Sequence, residues 1–237
     1  MALRALTWNL FHGRSVPGAG RSLLREFAAA LASWPWDVAL LQEVPPWWPR
    51  ELAAATGAAG HSVPTSRNQL LPLRRALAEA WPDLIKSGGG GANAILARGP
   101  IVGHRSLVLR RWPERRVLGW VRLGDGTCVA NLHASGHRAG QPPKRAREEV
   151  ELARRTALAW AAGDPLVLGG DLNLRLPELD GLVHVATRDV DHLFAAGLER
   201  AGPPRVLDRG ALSDHPPLMV ELRPAGRPAT SGDSHPS

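Results

Sequence analysis

The sequence predicts an α/β protein, a four-layered sandwich of two packed mixed β-sheets flanked by helices. Short apolar runs of strand length recur along the chain between longer stretches with helical spacing. The 237 residues, 44% of them hydrophobic, are enough for one well-buried domain, expected to span residues 1–222. No internal repeat breaks the pattern.

Leu3 to Leu10 reads as an amino-terminal strand with Asn9 at its end, and Arg21 to Ser33 as a helix. Asp37 to Val44 is a nearly continuous apolar strand that finishes on Gln42-Glu43. A buried strand does not end on a carboxylate without cause, because an isolated buried charge must be neutralised, paired or bound to a cation. Trp47 to Ala55 follows Pro45-Pro46 as a helix. Its paired tryptophans, Trp47 and Trp48, either pack that helix onto the sheet or line a cleft and stack on a base or sugar. Asn68 to Leu84 has helical spacing, and Gly88 to Gly91 is either a hinge beside the cleft or a spacer before a strand from Asn93 to Arg98. Asn93 is a candidate substrate contact, or a turn residue at a strand start.

Arg115 and Arg116 either clamp a phosphate or solvate a strand edge. Gly126 to His133 is a strand that opens after the turn Gly124-Asp125-Gly126 and ends on His133, a position that suits a structural histidine as well as a catalytic one. Lys144 to Ala162 is a charged helix whose apolar positions are Val150, Leu152, Leu158 and Trp160. Pro165 to Gly170 is an apolar run bounded by proline and paired glycines, a buried strand that stops where the backbone must turn. Alternation would place Asp171 and Asn173 on one face with Leu172 opposite; the alternative is an Asx turn. Asp191 lies inside the short strand-like run Asp189 to Phe194. Asp214 and His215 stand at the entrance of an alternating strand, Leu218 to Leu222, with prolines fixing the approach. That pair can supply a metal or water ligand and a proton-transferring group, or form a surface loop with a capping Asp. Arg223 to Ser237 is rich in Pro, Gly and Ser and reads as a disordered tail.

Each polar group on its own is ambiguous, but carboxylates, amides and imidazoles collected at strand ends are what a metal-assisted hydrolytic site needs. Hard oxygen donors such as Glu43 and Asn9 suit magnesium, or manganese in its place; zinc prefers clusters of His and Cys that this sequence lacks.

Taken in order, Trp8-Asn9, Gln42-Glu43-Val44, Asn93 to Arg98, Asn131-Leu132-His133, Gly170-Asp171-Leu172-Asn173, Asp191-His192 and Ser213-Asp214-His215 resemble the endonuclease/exonuclease/phosphatase superfamily, from about Leu3 to Leu222. The resemblance implies the same sandwich fold and hydrolysis of a phosphate ester by in-line attack of water. It implies that Asn9 and Glu43 hold the divalent cation with Asp214 as a further ligand, and that Asp171 orients the water. It gives Asn173 a hydrogen bond to a phosphate oxygen. His215, oriented by Asp191, would contact the phosphate as base or electrostatic stabiliser, and His133 matches the leaving-group histidine of the deoxyribonuclease branch. The sequence has nine Trp but no Tyr, so it lacks the tyrosine that abasic-site endonucleases place after the strand ending in His133.

The single cysteine, Cys128, excludes an intramolecular disulfide and departs from the secreted pancreatic-type enzymes. With no signal-like or membrane-length apolar segment, a cytoplasmic monomer is the expectation. A net charge of +7 and a pI near 11.1 favour polyanionic partners, although the surplus is largely Arg in an Ala-, Gly- and Pro-rich background. The preferred function is a nuclease on DNA or RNA; the alternative is a phosphatase or phosphodiesterase of a small or lipid phosphoester. A catalytically silent binding module is disfavoured because every acidic and histidine position of the pattern is occupied.

Overall fold

The computed structural model describes residues 2–66, 70–81, 91–137 and 142–226. Its strands are β1 (Leu3–Asn9), β2 (Val38–Val44), β3 (Ala59–Pro64), β4 (Ala92–Ala97), β5 (Ile101–Arg110), β6 (Arg116–Leu123), β7 (Cys128–His133), β8 (Leu166–Asp171), β9 (Val183–Arg188), β10 (Asp191–Ala196), β11 (Leu198–Arg200), β12 (Arg205–Val206) and β13 (Leu218–Pro224). The helices are α1 (Leu24–Ser33), α2 (Trp48–Thr56), α3 (Leu71–Ala80) and α4 (Lys144–Ala161). One sheet runs β11-β13-β1-β2-β4-β3 with β12 beside β13, and the other runs β5-β6-β7-β8-β10-β9.

Both sheets are mixed for the same reason. The pairs β1–β2 and β7–β8 are parallel, whereas the remaining pairings are antiparallel. A parallel pair needs a crossover, and α1 and α4 supply one in each sheet. Ala5, Val38, Leu40 and Ile95 face Val121, Val129, Val167 and Leu193 between the sheets. The alternate residues Leu6, Trp8 and Leu41 pack outward on Phe27 and Leu31 of α1 and Leu52 of α2. On the far side Leu118, Leu166 and Leu168 receive Ala146, Val150, Ala153 and Ala157 of α4. Strands covered on both faces read as continuous apolar runs, which is why β2 and β8 were legible from sequence.

Several boundaries move. α1 begins at Leu24 rather than Arg21, and α4 closes at Ala162, whose φ of 53° is a left-handed cap. α3 is shorter than the expected Asn68–Leu84, whose flanks extend outside the described residues, as do Gly88 to Gly90. β13 continues to Pro224, two residues beyond the expected end of the domain at Leu222, because Leu198–Arg200 pairs with its final residues. The proposed tail from residue 227 onward lies outside the described residues. Trp48 belongs to the core, with its ring centroid 5.5 Å from that of Phe27, and Trp47 packs partly buried on the same cluster.

Candidate active site

The two parallel units deliver their carboxyl ends to one rim, the position at which strand ends of α/β folds present ligand-binding groups. From the first come Asn9, the register partner of Gln42, and then Glu43. From the second come His133 and Asp171, which are register partners. Asp171 in turn faces Asp191 of β10, and Asp191 faces Arg188 of β9. His133, Asp171, Asp191 and Arg188 therefore form one row across four adjacent strands, and residues in register share a face of the sheet.

The backbone beneath the row is constrained. Gly170 has φ 133°, and a Cβ there would lie 2.0 Å from the carbonyl oxygen of Leu132, so only glycine lets β8 approach β7 at this point. Below the rim, Gln42 Nε2 donates to Asn131 Oδ1 at 2.8 Å, and Asn131 Nδ2 donates to the carbonyls of Leu41 and Ala94. This buried amide pair locks the two sheets together directly under the site.

Asp171 is 3% exposed and receives a hydrogen bond from Asn9 Nδ2 at 3.0 Å, so the two sheets meet at its carboxylate. Its Oδ2 also lies 3.4 Å from His133 Nε2 and 4.0 Å from His215 Nε2. Burial, followed by the neighbouring Asp191, raises its pKa to about 7 against the opposing pull of His215. Burial also raises Asp191, although His215 counters it. Asp191 Oδ2 sits 2.8 Å from His215 Nδ1, while Asp191 Oδ1 is buried with no hydrogen-bond partner among the described residues. Burial disfavours the His215 imidazolium, but the hydrogen bond and charge of Asp191, with Asp171 and Asp214, outweigh it and lift its pKa to about 9.

His215 is held from several directions. Trp8 Nε1 donates to its carbonyl at 2.9 Å, and its own N–H donates to Ser213 Oγ at 3.0 Å. Ser213 Oγ donates to the carbonyl of Asn9, closing a loop between the last site motif and the first strand. Asp214 is exposed, with Oδ1 4.0 Å from His215 Nε2.

Glu43 has an imidazole on each side. His12 Nε2 is 3.1 Å from its Oε2, and His133 Nδ1 is 3.8 Å from its Oε1. Burial pushes His133 well below the usual imidazole range, helped by the charges of Arg116, His12 and His215. His12 is lowered too, by burial above all; Glu43 and Asp214 oppose the shift, and Arg14 and Arg116 add to it. Burial thus shifts both imidazoles beside Glu43 toward the neutral form. His12 was not among the residues singled out from sequence, although a His-Gly pair just after a strand was the available signal. It sits in a 3-10 turn, Phe11–Gly13, in which all three residues have positive φ. A Cβ on Gly13 would meet the Trp48 ring at 2.3 Å, so the packed helix α2 enforces this turn. Glu43, Asn173 and Ser213 also have positive φ, which concentrates backbone strain at the rim.

Asn173 reaches the rim by a different route from simple alternation. With φ 51° it has left the strand; its N–H donates to Asp171 Oδ1 at 3.1 Å in an Asx turn, and its Nδ2 donates to the Ala134 carbonyl. Of the two arginines expected at the site, Arg116 is buried, pairs with Glu114 and exerts its charge on His133 and His12. Arg115 makes no ion pair with any of these groups among the described residues, and its Nε is buried without a partner. Asn93 is 1% exposed and donates to the Val117 carbonyl at 3.2 Å, bridging the sheets.

The donor set fits a hard divalent cation. The charges of Glu43 and Asp214 both raise the pKa of His12, and Asp191 Oδ1, without a hydrogen-bond partner among the described residues, is a further oxygen donor. Asp171, Asp191 and His215 also bring ligand atoms within 4.8 Å of one another, but the His215 nitrogen nearest Asp191 is already engaged there.

The profile of the Endonuclease/Exonuclease/phosphatase family matches residues 6–215. Among solved structures, an endonuclease/exonuclease/phosphatase from Beutenbergia cavernae superposes with a TM-score of 0.66 at 20% identity, covering 96% of this chain and 73% of that one. TDP2 from Caenorhabditis elegans gives a TM-score of 0.66 at 16% identity, with 94% and 74% coverage. A mannosyl-6-phosphatase from Bacteroides thetaiotaomicron gives 0.67 at 17%, with 93% and 99% coverage. No curated protein matches the sequence. The matched profile spans most of the chain and includes every residue of the row, and the chain belongs to the endonuclease/exonuclease/phosphatase family.

Proposed function

We propose that the protein is a magnesium-dependent phosphodiesterase that hydrolyses DNA or RNA, with manganese able to replace magnesium. The observation that carries this reading is Asp171, a buried carboxylate joined to Asn9 from the opposite sheet and flanked by the Asp191–His215 pair. A carboxylate with a pKa of about 7 is matched to accepting a proton from an attacking water near neutral pH. His215, with a pKa of about 9, is an imidazolium under the same conditions and stabilises negative charge on the phosphate oxygens; Asp191 fixes its orientation. The second N–H of the Asn173 amide is free of the Ala134 carbonyl and donates to a phosphate oxygen. His133, kept neutral by burial, takes the leaving-group side. Glu43, Asn9 and Asp214 would hold the cation, which supplies Lewis-acid withdrawal of charge from the phosphoryl oxygens when bound. The net charge of +7 favours association of the whole protein with a polyanion.

The test is hydrolysis by the purified protein of plasmid DNA, single-stranded DNA, RNA, a phosphodiester dye and a set of phosphomonoesters, with Mg²⁺, Mn²⁺ or chelator. Metal-dependent cutting of nucleic acid that disappears in Asp171→Ala is the expected result. Hydrolysis confined to small phosphoesters would move the protein to the phosphatase reading.

A further inference from the structure

The row of site residues does not stop at the catalytic groups. Its fourth member, Arg188, is the register partner of Asp191, so its side chain leaves the sheet on the same face. Two strand spacings separate it from Asp171, about 10 Å between backbones. It opens onto a cleft of about 510 Å³ lined by Arg188, Asp189, Asp191, Arg209, Asp214 and His215, within the size range of small-ligand sites.

Charge accounting in that cleft leaves the arginines over. Asp191 is paired with His215, and Asp189 faces Arg175 at 3.5 Å. Asp214 Oδ1 is 4.0 Å from His215 Nε2. Among the described residues neither Arg188 nor Arg209 makes an ion pair. Arg209 is nevertheless fixed: its Nη1 donates to the carbonyls of Gly210 and Leu212, which leaves Nε and Nη2 to address a ligand. The loop that carries it is braced by hydrogen bonds from Leu207 to Pro217, from Leu212 to Arg209 and from Ser213 to Arg14. The held guanidinium of Arg209 and the exposed one of Arg188 line the same cleft, and both are forked donors of the kind that suits phosphate.

We propose that Arg188 and Arg209 form a second anion subsite that takes the phosphate neighbouring the scissile one, so that the site selects a phosphodiester chain over an isolated phosphomonoester. The proposal rests on the phosphoesterase reading and narrows its substrate class.

Arg188→Gln, Arg209→Gln and the double variant test it with two substrates. One is bis(4-nitrophenyl) phosphate, which has no neighbouring phosphate; the other is a short single-stranded oligonucleotide. The double variant is expected to lose kcat/KM at least tenfold more on the oligonucleotide than on the dye ester. An equal loss on both, or no loss on either, overturns the subsite. A second measurement separates this from failure of the hydrolase reading: oligonucleotide binding to Asp171→Asn, with and without the two arginine changes, across a salt titration. Loss of the one phosphate contact that the two arginines share lowers the slope of log K against log salt by about 0.7. If the wild type hydrolyses no phosphoester yet the slope falls in this way, the hydrolase reading fails and the subsite stands; an unchanged slope removes the subsite.

Discussion

His12 Nε2 lies 3.1 Å from Glu43 Oε2, and both residues hold a left-handed backbone conformation to bring this about. The contact orients the carboxylate, and burial shifts His12 toward its neutral form. His12→Ala is expected to raise the magnesium concentration needed for half-maximal activity by about 10- to 100-fold, as loss of a group supporting a ligand does. His12→Gln, which retains a donor, should recover part of it. A magnesium titration of activity, paired with Mn²⁺ binding followed by electron paramagnetic resonance, checks both.

Asp191→Asn removes the charge that overcomes the burial of His215. In the metal-free wild type the imidazole should titrate near pH 9; in the variant its pKa falls, and it loses its charge at lower pH. Because the folded pKa lies above the ordinary 6.5, the stabilisation from this pair is full below pH 6.5 and fades as pH rises through 9. Two-dimensional NMR of the His215 ring nitrogens reads the shift, and an unchanged titration would show that Asp191 does not control the imidazole.

His192 works with the opposite sign. It is fully buried, with Nε2 2.6 Å from the Leu174 carbonyl and Nδ1 3.0 Å from His184, and burial lowers its pKa to about 4. The unfolded chain binds this proton at higher pH than the folded one. Stability contributed by the neutral ring is therefore complete above pH 6.5 and is lost as pH falls towards 4, by up to about 3 kcal/mol. Urea unfolding at pH 7, 5.5 and 4.5 should show a steeper decline for wild type than for His192→Asn.

Gly170→Ala and Gly57→Ala separate two kinds of positive φ. Gly57 closes α2 with open space around it, so alanine there costs about 1 kcal/mol from conformation alone. At Gly170 the added methyl would strike the Leu132 carbonyl, and a loss on the order of 4 kcal/mol or failure to fold is expected. Thermal melts of the two variants give the comparison, and similar melting temperatures would refute it.

The layers of the fold were readable because strands buried on both faces, such as Asp37 to Val44 and Pro165 to Gly170, carry unbroken apolar runs between turn residues. β9 was not, because an edge strand with exposed Val183, His184, Thr187 and Arg188 lacks that run. The same blind spot hid Arg188, whose place beside Asp191 depends on strand pairing and leaves no local trace. His12 escaped for a related reason: a lone histidine in a turn acquires meaning only when α2 presses Trp48 against Gly13. Gln42 and Asn131 stood within the recognised motifs, yet their partnership spans two sheets and no spacing encodes it. Asn173 illustrates the reverse, since alternation gave a plausible rim position and an Asx turn is what delivers it.

The hydrogen bond from Trp8 to the His215 carbonyl joins the opening strand to the final motif of the site. Synthesis proceeds from one toward the other, so Asn9 and Glu43 emerge before β10, the Arg209 loop and His215. The site is therefore complete only when folding has brought the two ends of the matched segment, residues 6 and 215, together.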